Sequence, residues 1–120
     1  MQHIAFTFSS VKDLLQAYSQ RKALGLEPAW CVHHGVTLSI YYRDVDGNAL
    51  ETQVDVFDKP EDDNAFLQSP AFLENPIGVD FDPEDFIKRL EKGESEKELL
   101  KWQGMGPRDI STVPFMLASM

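Results

Sequence analysis

The segment from residue 36 to residue 57 limits the fold more than any other part of the sequence. Two runs in which apolar and polar residues alternate, 36–42 and 50–57, flank the dipeptide Asp46-Gly47. Alternation with a period of two is typical of a β-strand with one buried face, and Asp-Gly is a preferred turn between two such strands. The segment therefore predicts an antiparallel hairpin with one apolar face and one polar face.

The residues before this hairpin predict two further strands and a helix. Runs 3–8 and 30–33 are rich in residues that favour strands. Between them, Ser10 is predicted to cap a helix that has Asp13 in its first turn and ends near Gly25. The predicted order of elements is β-α-β-β-β, and the predicted fold class is α+β.

The second half of the chain differs in charge and in pattern. Residues 1–57 carry a net charge of −2, whereas residues 58–120 carry −7. Asp82-Pro83-Glu84 is typical of a helix start, and a second short helix is predicted over 95–102. The part after Gly104, which contains several glycine and proline breaks, is predicted to be irregular. We therefore divide the chain into a βαβββ module, 1–57, and an acidic, mainly helical C-terminal extension, 58–120.

Two interpretations of this extension remain open. It can pack over an exposed edge of the module, since an uncovered edge strand promotes association. It can also be an acidic element that docks a partner protein.

The composition excludes several classes of function. A net charge of −9 argues against a nucleic-acid partner, which needs clustered lysine and arginine. No apolar run approaches the ~18 residues of a membrane span, and no signal-peptide pattern is present, so a cytoplasmic protein is expected. Cys31 is the single cysteine, which excludes an internal disulfide and a cysteine-rich zinc site.

The polar faces of the predicted strands carry His3 and Glu51. Polar faces of this kind are most often simply solvated. The opposite side of the first strand, however, is apolar at Ile4, Phe6 and Phe8 and is expected to pack on the helix. A polar face with many hydroxyl groups, one imidazole and one carboxylate is then the lining of a cavity. Imidazole and carboxylate together bind Fe(II), Mn(II), Ni(II) or Zn(II), although two ligands need a third from elsewhere.

The hairpin region also resembles a known family. Residues 32–51 read Val-His-His-Gly-Val-Thr-Leu-Ser-Ile-Tyr-Tyr-Arg-Asp-Val-Asp-Gly-Asn-Ala-Leu-Glu. This run resembles the signature of type I extradiol ring-cleaving dioxygenases, in the vicinal oxygen chelate superfamily that also contains the glyoxalase and bleomycin-resistance proteins. Its positions are taken here by His34, Ile40, Tyr41, Asp44, Gly47 and Glu51. Val45 stands where the family has proline, and the resemblance extends over residues 3–57. Residues 75–83 also resemble the end of small dihydroxybiphenyl dioxygenase-like proteins.

The resemblance implies a role for each of these side chains. His3 and Glu51 would bind a divalent metal, with Fe(II) favoured over Mn(II), Ni(II) and Zn(II). His34 would act as acid and base, His33 being the alternative because the spacing admits either, and Tyr41 would hydrogen-bond a substrate oxygen. The implied substrate is a small molecule with vicinal oxygens, such as a catechol.

In the resembled family the third ligand comes from a preceding sister module, and this chain shows one module. Either the chain is part of a two-module protein, or two copies form a homodimer. A homodimer would bring two copies of His3 and Glu51 to one site, which resembles glyoxalase I. The alternative function is a glyoxalase- or bleomycin-resistance-like module that binds a small ligand and has no dioxygenase activity.

Overall fold

The computed structural model of the chain describes residues 3–103 and 108, which form one mixed sheet with helices. The strands in this part of the chain are β1 (His3–Phe8), β2 (Trp30–His33), β3 (Thr37–Arg43), β4 (Ala49–Asp55) and β5 (Val79–Asp80). The helices are α1 (Val11–Ala23), α2 (Pro60–Leu67), α3 (Pro70–Glu74), α4 (Pro83–Glu91) and α5 (Glu96–Leu99). The α+β class is therefore confirmed, and none of these helices has the length and apolar character of a membrane span.

The sheet has the strand order β1-β4-β3-β2-β5. Strand β1 runs parallel to β4, whereas β2, β3 and β5 form antiparallel pairs with their neighbours. The turn between β3 and β4 is held by Asp44, whose carboxylate accepts the N–H groups of Asp46 (2.9 Å) and Asn48 (2.8 Å). Gly47 follows with a φ of 82°, which glycine adopts without strain. The predicted hairpin is therefore confirmed.

Helix α1 covers one face of the sheet. The Ser10 hydroxyl accepts the N–H of Asp13 (3.1 Å) and so caps the first turn, as the sequence predicts. The buried stripe of the helix packs on apolar side chains of β3 and β4. The core formed in this way contains Val11, Leu14, Leu15, Tyr18, Leu38, Ile40, Tyr42 and Val54, with Phe86 and Leu99 from the C-terminal part.

The expectation that the apolar side of the first strand packs on the helix is wrong for two of its three residues. Ile4 and Phe6 are 50% and 55% exposed, and Phe8 is packed partly against the core. The reason is that β1 is the edge strand, while α1 packs over the central strands β3 and β4. Most of the apolar side of β1 therefore faces solvent in the described chain.

The C-terminal part packs directly on the module. It supplies the strand β5, which the sequence did not predict and which pairs with β2 through Val32 and Asp80. Glu96 accepts the backbone N–H groups of Val11 (2.8 Å) and Lys12 (3.2 Å), which lie in the first turn of α1. The helix predicted over 95–102 is shorter in the structure, where it ends at Leu99. The predicted irregular segment after residue 104 lies outside the described residues, and the division into two domains stays a prediction.

Candidate functional site

The polar face of the sheet brings three aromatic and acidic side chains together. Tyr41 on β3 is paired with Trp30 on β2 and with Glu51 on β4. Residues paired across a sheet point to the same face, so the three side chains are neighbours. The rings of Trp30 and Tyr41 are stacked, with centroids 5.4 Å apart and planes 20° from parallel.

Glu51 is a buried carboxylate surrounded by hydroxyl groups. It is 6% exposed, and its Oε2 accepts a hydrogen bond of 2.7 Å from Ser39 Oγ. Ser39 is fully buried and also lies 3.0 Å from the hydroxyl of Thr37. The negative charge of Glu51 also acts on the neighbouring hydroxyl of Tyr41. The hydrogen bond from Ser39 compensates for part of the loss of water around the buried carboxylate.

Tyr41 is hydrogen-bonded to His34 on the same face as this carboxylate. The Tyr41 hydroxyl lies 2.8 Å from His34 Nε2. Burial, and then the negative charge of Glu51, raise the pKa of Tyr41, so its hydroxyl keeps its proton. Glu51, Tyr41 and His34 therefore lie side by side on one face, with Tyr41 hydrogen-bonded to His34 and close to the charge of Glu51, and we call these three residues the polar row.

The other ring nitrogen of His34 fixes the position of its proton. His34 Nδ1 lies 2.8 Å from the carbonyl oxygen of Ile77. A carbonyl only accepts hydrogen bonds, so Nδ1 carries a proton and Nε2 of the neutral ring accepts the proton of Tyr41. Burial lowers the pKa of His34 below 6.5, although the Ile77 carbonyl and Glu51 act in the opposite direction. At neutral pH His34 is therefore an uncharged base.

His33 lies on the helix side of the sheet and makes different contacts. Its Nε2 donates to the carbonyl oxygen of Leu100 (2.7 Å), and its Nδ1 accepts the N–H of Gly35 (2.9 Å). Its ring also packs edge-on against Trp102, with centroids 5.4 Å apart. Burial lowers the pKa of His33 as well. Both ring nitrogens are therefore used by backbone groups, and the proton is on the opposite nitrogen from that of His34.

His3 lies at the start of β1. Its backbone is opposite Ala49, and Ala5, two residues later, is opposite Glu51. Because strand positions alternate, position 3 belongs to the face that carries Glu51. The side chain of His3 lies outside what the structure describes. Residues 3–103 and 108 contain no group of three or more metal-ligating side chains, so the metal site at His3 and Glu51 stays a prediction.

The polar face is also lined by residues that sequence reasoning missed. Ile77 packs against Ala49, as Trp30 and Tyr41 do, and Trp30 Nε1 donates to the carboxylate of Asp80 (2.7 Å). Arg108 pairs with Asp80 and lies over the Trp30 ring, 5.6 Å from its centroid. The Asn-Pro and Gly residues at 75–78 indicated a turn, but no local pattern indicated that this turn lies against β2 and β3.

Two cavities lie away from this face. One of about 580 Å³ lies between α1 and α4 and is lined by Leu15, Ile87 and Leu90 among others. Another of about 450 Å³ is lined by Phe57, Phe66 and Trp102 among others. Neither is lined by the polar row.

Fold and site together define an α+β protein in which a buried carboxylate, a tyrosine and a histidine form a row on one sheet face. The chain is similar to biphenyl-2,3-diol 1,2-dioxygenase 2 of Rhodococcus globerulus, with 46% identity over 83 residues, which are 69% of this chain and 44% of that protein. It is also similar to biphenyl-2,3-diol 1,2-dioxygenase 3 of the same organism, with 39% identity over 99 residues, which are 82% of this chain and 52% of that protein.

These similarities support a relationship with extradiol dioxygenases. The chain spans about half the length of the curated relatives it matches. No protein-family model and no solved structure matches the chain.

Proposed function

We propose that this chain carries the active-site module of an extradiol-type ring-cleaving dioxygenase, whose site is completed by a second module or a second chain. The observation that carries the proposal is the polar row, since the Tyr41 hydroxyl is hydrogen-bonded to the neutral His34 and lies beside the buried Glu51. The similarity to two biphenyl-2,3-diol 1,2-dioxygenases supports the same reaction class. The substrate proposed is a small aromatic diol with adjacent oxygens.

The proposed metal ligands are Glu51 and His3, with a third ligand from outside the module. A carboxylate oxygen and an imidazole nitrogen are ligands suited to Fe(II), which we propose, and to Mn(II), Ni(II) or Zn(II). The Ser39 hydroxyl orients the Glu51 carboxylate, as hydrogen-bond partners of metal ligands do. When bound, the metal would supply a Lewis acid for two adjacent oxygens and a redox centre for O2.

The chain's own residues would move the proton of the substrate. Tyr41 lies between substrate and base in this proposal: its oxygen accepts a proton from a diol hydroxyl while its own proton passes to His34 Nε2 over 2.8 Å. The negative charge of Glu51 favours the positively charged form of His34 that results. The stacked ring of Trp30 restricts the orientation of Tyr41 during this transfer.

The hydrogen bonds favour His34 over His33 as the acid and base. His33 uses both ring nitrogens for the backbone groups of Leu100 and Gly35, on the face opposite to Glu51. His34 uses one nitrogen for the backbone and presents the other to the Tyr41 hydroxyl. We therefore place the proton transfer at Nε2 of His34.

The test is metal analysis combined with an oxygen-uptake assay. The anaerobically purified chain is incubated with Fe(II), and its metal content and its mass in solution are measured on the same sample. Oxygen uptake is then followed with biphenyl-2,3-diol as the probe. About one metal per two chains, in a particle of twice the chain mass, would support a site shared by two copies.

Matched variants separate the roles. We expect Glu51→Gln to lose the metal, whereas Glu61→Gln, which changes an exposed carboxylate on α2, should keep it. His34→Gln should keep the metal and lose oxygen uptake. Failure to bind Fe(II), Mn(II), Ni(II) or Zn(II), or metal binding that survives Glu51→Gln unchanged, would refute the proposal.

The second candidate is a metal-free module that binds a small aromatic ligand. It is favoured by one observation: Glu51 is already hydrogen-bonded by Ser39, and Trp30, stacked on Tyr41, offers an aromatic surface. Calorimetric binding of biphenyl-2,3-diol to the chelator-treated protein, without oxygen uptake after metal is restored, would favour this candidate.

A further inference from the structure

The turn between α3 and β5 is organised by one buried side chain. Asn75 is 3% exposed, and its Oδ1 accepts the backbone N–H groups of Ile77 (3.2 Å) and Gly78 (3.0 Å). Its Nδ2 donates to the carbonyl oxygen of Gly78 (3.0 Å). A side-chain amide can satisfy both donors and acceptors in this way, whereas an apolar residue would leave buried backbone groups without partners.

The same turn approaches β2 more closely than a residue with a side chain would allow. Gly78 has a φ of 128°, and a Cβ placed there would lie 2.6 Å from the carbonyl oxygen of His33 and 2.7 Å from Val32 Cγ2. This close approach, together with the hydrogen bonds of Asn75, fixes the direction of the Ile77 carbonyl. That carbonyl is the acceptor for His34 Nδ1, at 2.8 Å.

We propose that Asn75 is a positioning residue that sets the tautomer of His34. By fixing the turn, it holds the Ile77 carbonyl against Nδ1, which keeps the proton there and leaves Nε2 to exchange a proton with Tyr41. The tautomer follows from the hydrogen bonds alone, whereas its importance for catalysis rests on the proposed function of His34.

The size of the effect follows from one hydrogen bond. The net free energy of a buried N–H···O=C hydrogen bond typically changes the ratio of the two neutral tautomers of His34 by roughly fivefold. In Asn75→Ala the turn loses three hydrogen bonds, so the Ile77 carbonyl is no longer held in place. A larger share of His34 rings should then carry the proton on Nε2, where they can no longer accept from Tyr41.

His33 provides an internal control in the same molecule. Its proton is on Nε2, which donates to Leu100, and its Nδ1 accepts from Gly35, so its tautomer does not depend on Asn75. A general loosening of the fold would change both rings. A loss of the Ile77 contact would change His34 alone.

The experiment is nitrogen NMR of the imidazole rings in the metal-free chain, which has three histidines. The unmodified protein should show His34 protonated at Nδ1 and His33 protonated at Nε2. In Asn75→Ala we expect the Nδ1–H to Nε2–H ratio of His34 to fall by roughly fivefold, with His33 unchanged. Asn64→Ala, which changes an exposed asparagine on α2, should leave both rings unchanged.

Asn75→Asp is the conservative variant. It keeps an oxygen that can accept from Ile77 and Gly78, while the Gly78 carbonyl still accepts from Arg108 (3.1 Å). It should therefore retain most of the Nδ1–H form of His34, and it provides the comparison if Asn75→Ala fails to fold. If Asn75→Ala fails to fold, it is replaced by Asn75→Gln, whose longer side chain cannot reproduce the three contacts, and Asn75→Gln is compared with Asn75→Asp.

The inference is overturned if folded Asn75→Ala and Asn75→Gln keep the tautomer of the unmodified protein, or if His33 changes together with His34. Oxygen uptake by the metal-loaded variants distinguishes a failure of this inference from a failure of the proposed function. A changed tautomer with an unchanged rate would support the positioning role of Asn75 and refute the role of His34 as base.

Discussion

Removal of the Glu96 carboxylate tests whether the C-terminal part is an integral component of the fold. Glu96 lies 85 residues from Val11 in sequence and caps the first turn of α1 through two backbone N–H groups. The first N–H groups of a helix have no partner within the helix. In Glu96→Ala, Val11 N–H loses its partner close to a fully buried side chain.

The expected loss of stability can be worked out from these two contacts. The partly buried, charge-assisted bond to Val11 should contribute about 1.5 kcal/mol, and the exposed bond to Lys12 less, about 0.5 kcal/mol. A negative charge at a helix N-terminus adds about 0.5 kcal/mol. Glu96→Ala should therefore lower the free energy of unfolding by about 2.5 kcal/mol and the Tm by roughly 10 °C. Glu96→Gln keeps an oxygen acceptor and should lose about half as much.

Urea unfolding followed by circular dichroism measures these differences. The matched control is Glu98→Ala on the same helix, because Glu98 forms an exposed ion pair with Lys101 that should contribute about 0–0.5 kcal/mol. If Glu96→Ala and Glu98→Ala are equally stable, Glu96 does not cap α1 in solution. In that case the contact between Glu96 and α1 is not a determinant of stability.

Three further predictions concern the turn after β2, the buried histidines and the polar row. Gly35→Ala should lower the free energy of unfolding by about 3 kcal/mol, because φ is 97° and the added Cβ would overlap an aromatic ring. Gly47→Ala, at a similar φ but in open space, should lower it by about 1 kcal/mol, and equal losses in the two variants would contradict this reasoning. Burial lowers the pKa of both His33 and His34 below 6.5, so between about pH 6.5 and 5 the unfolded chain binds more protons than the folded chain. The free energy of unfolding should therefore fall as the pH decreases over this range, and a urea midpoint that rises on acidification would contradict this. In the metal-loaded protein, Tyr41→Phe should lower the rate of oxygen uptake by about 10²- to 10⁴-fold without loss of metal, and an unchanged rate would exclude Tyr41 from proton transfer.

The sequence predicted the elements whose signals are local. The alternation on both sides of Asp46-Gly47 predicted the bounds of β3 and β4 to within one or two residues at each end, and the Ser10 cap predicted the start of α1. Strand β5 could not be predicted in this way, because its two residues become a strand only by pairing with β2. The exposure of Phe6 was missed for a related reason, since periodicity identifies an apolar face but not what covers it.

The same limit applies to the candidate site. The hairpin pattern placed Tyr41 and Glu51 on one face, and the register confirms that they are neighbours. Spacing could not distinguish His33 from His34, because the signature admits either position, although the two side chains point to opposite faces of the sheet. The hydrogen-bond partners that distinguish them, Ile77 and Leu100, lie more than 40 residues further along the chain.

Strand β2 is held from both sides by the C-terminal part of the chain. The Ile77 carbonyl engages His34 on one face, the Leu100 carbonyl engages His33 on the other, and β5 pairs along the edge. Segments linked in this way open together as one cooperative unit in hydrogen exchange. The amides of residues 31–34 and 77–81 should therefore exchange at a common rate, and the polar row should be accessible only as often as that unit opens.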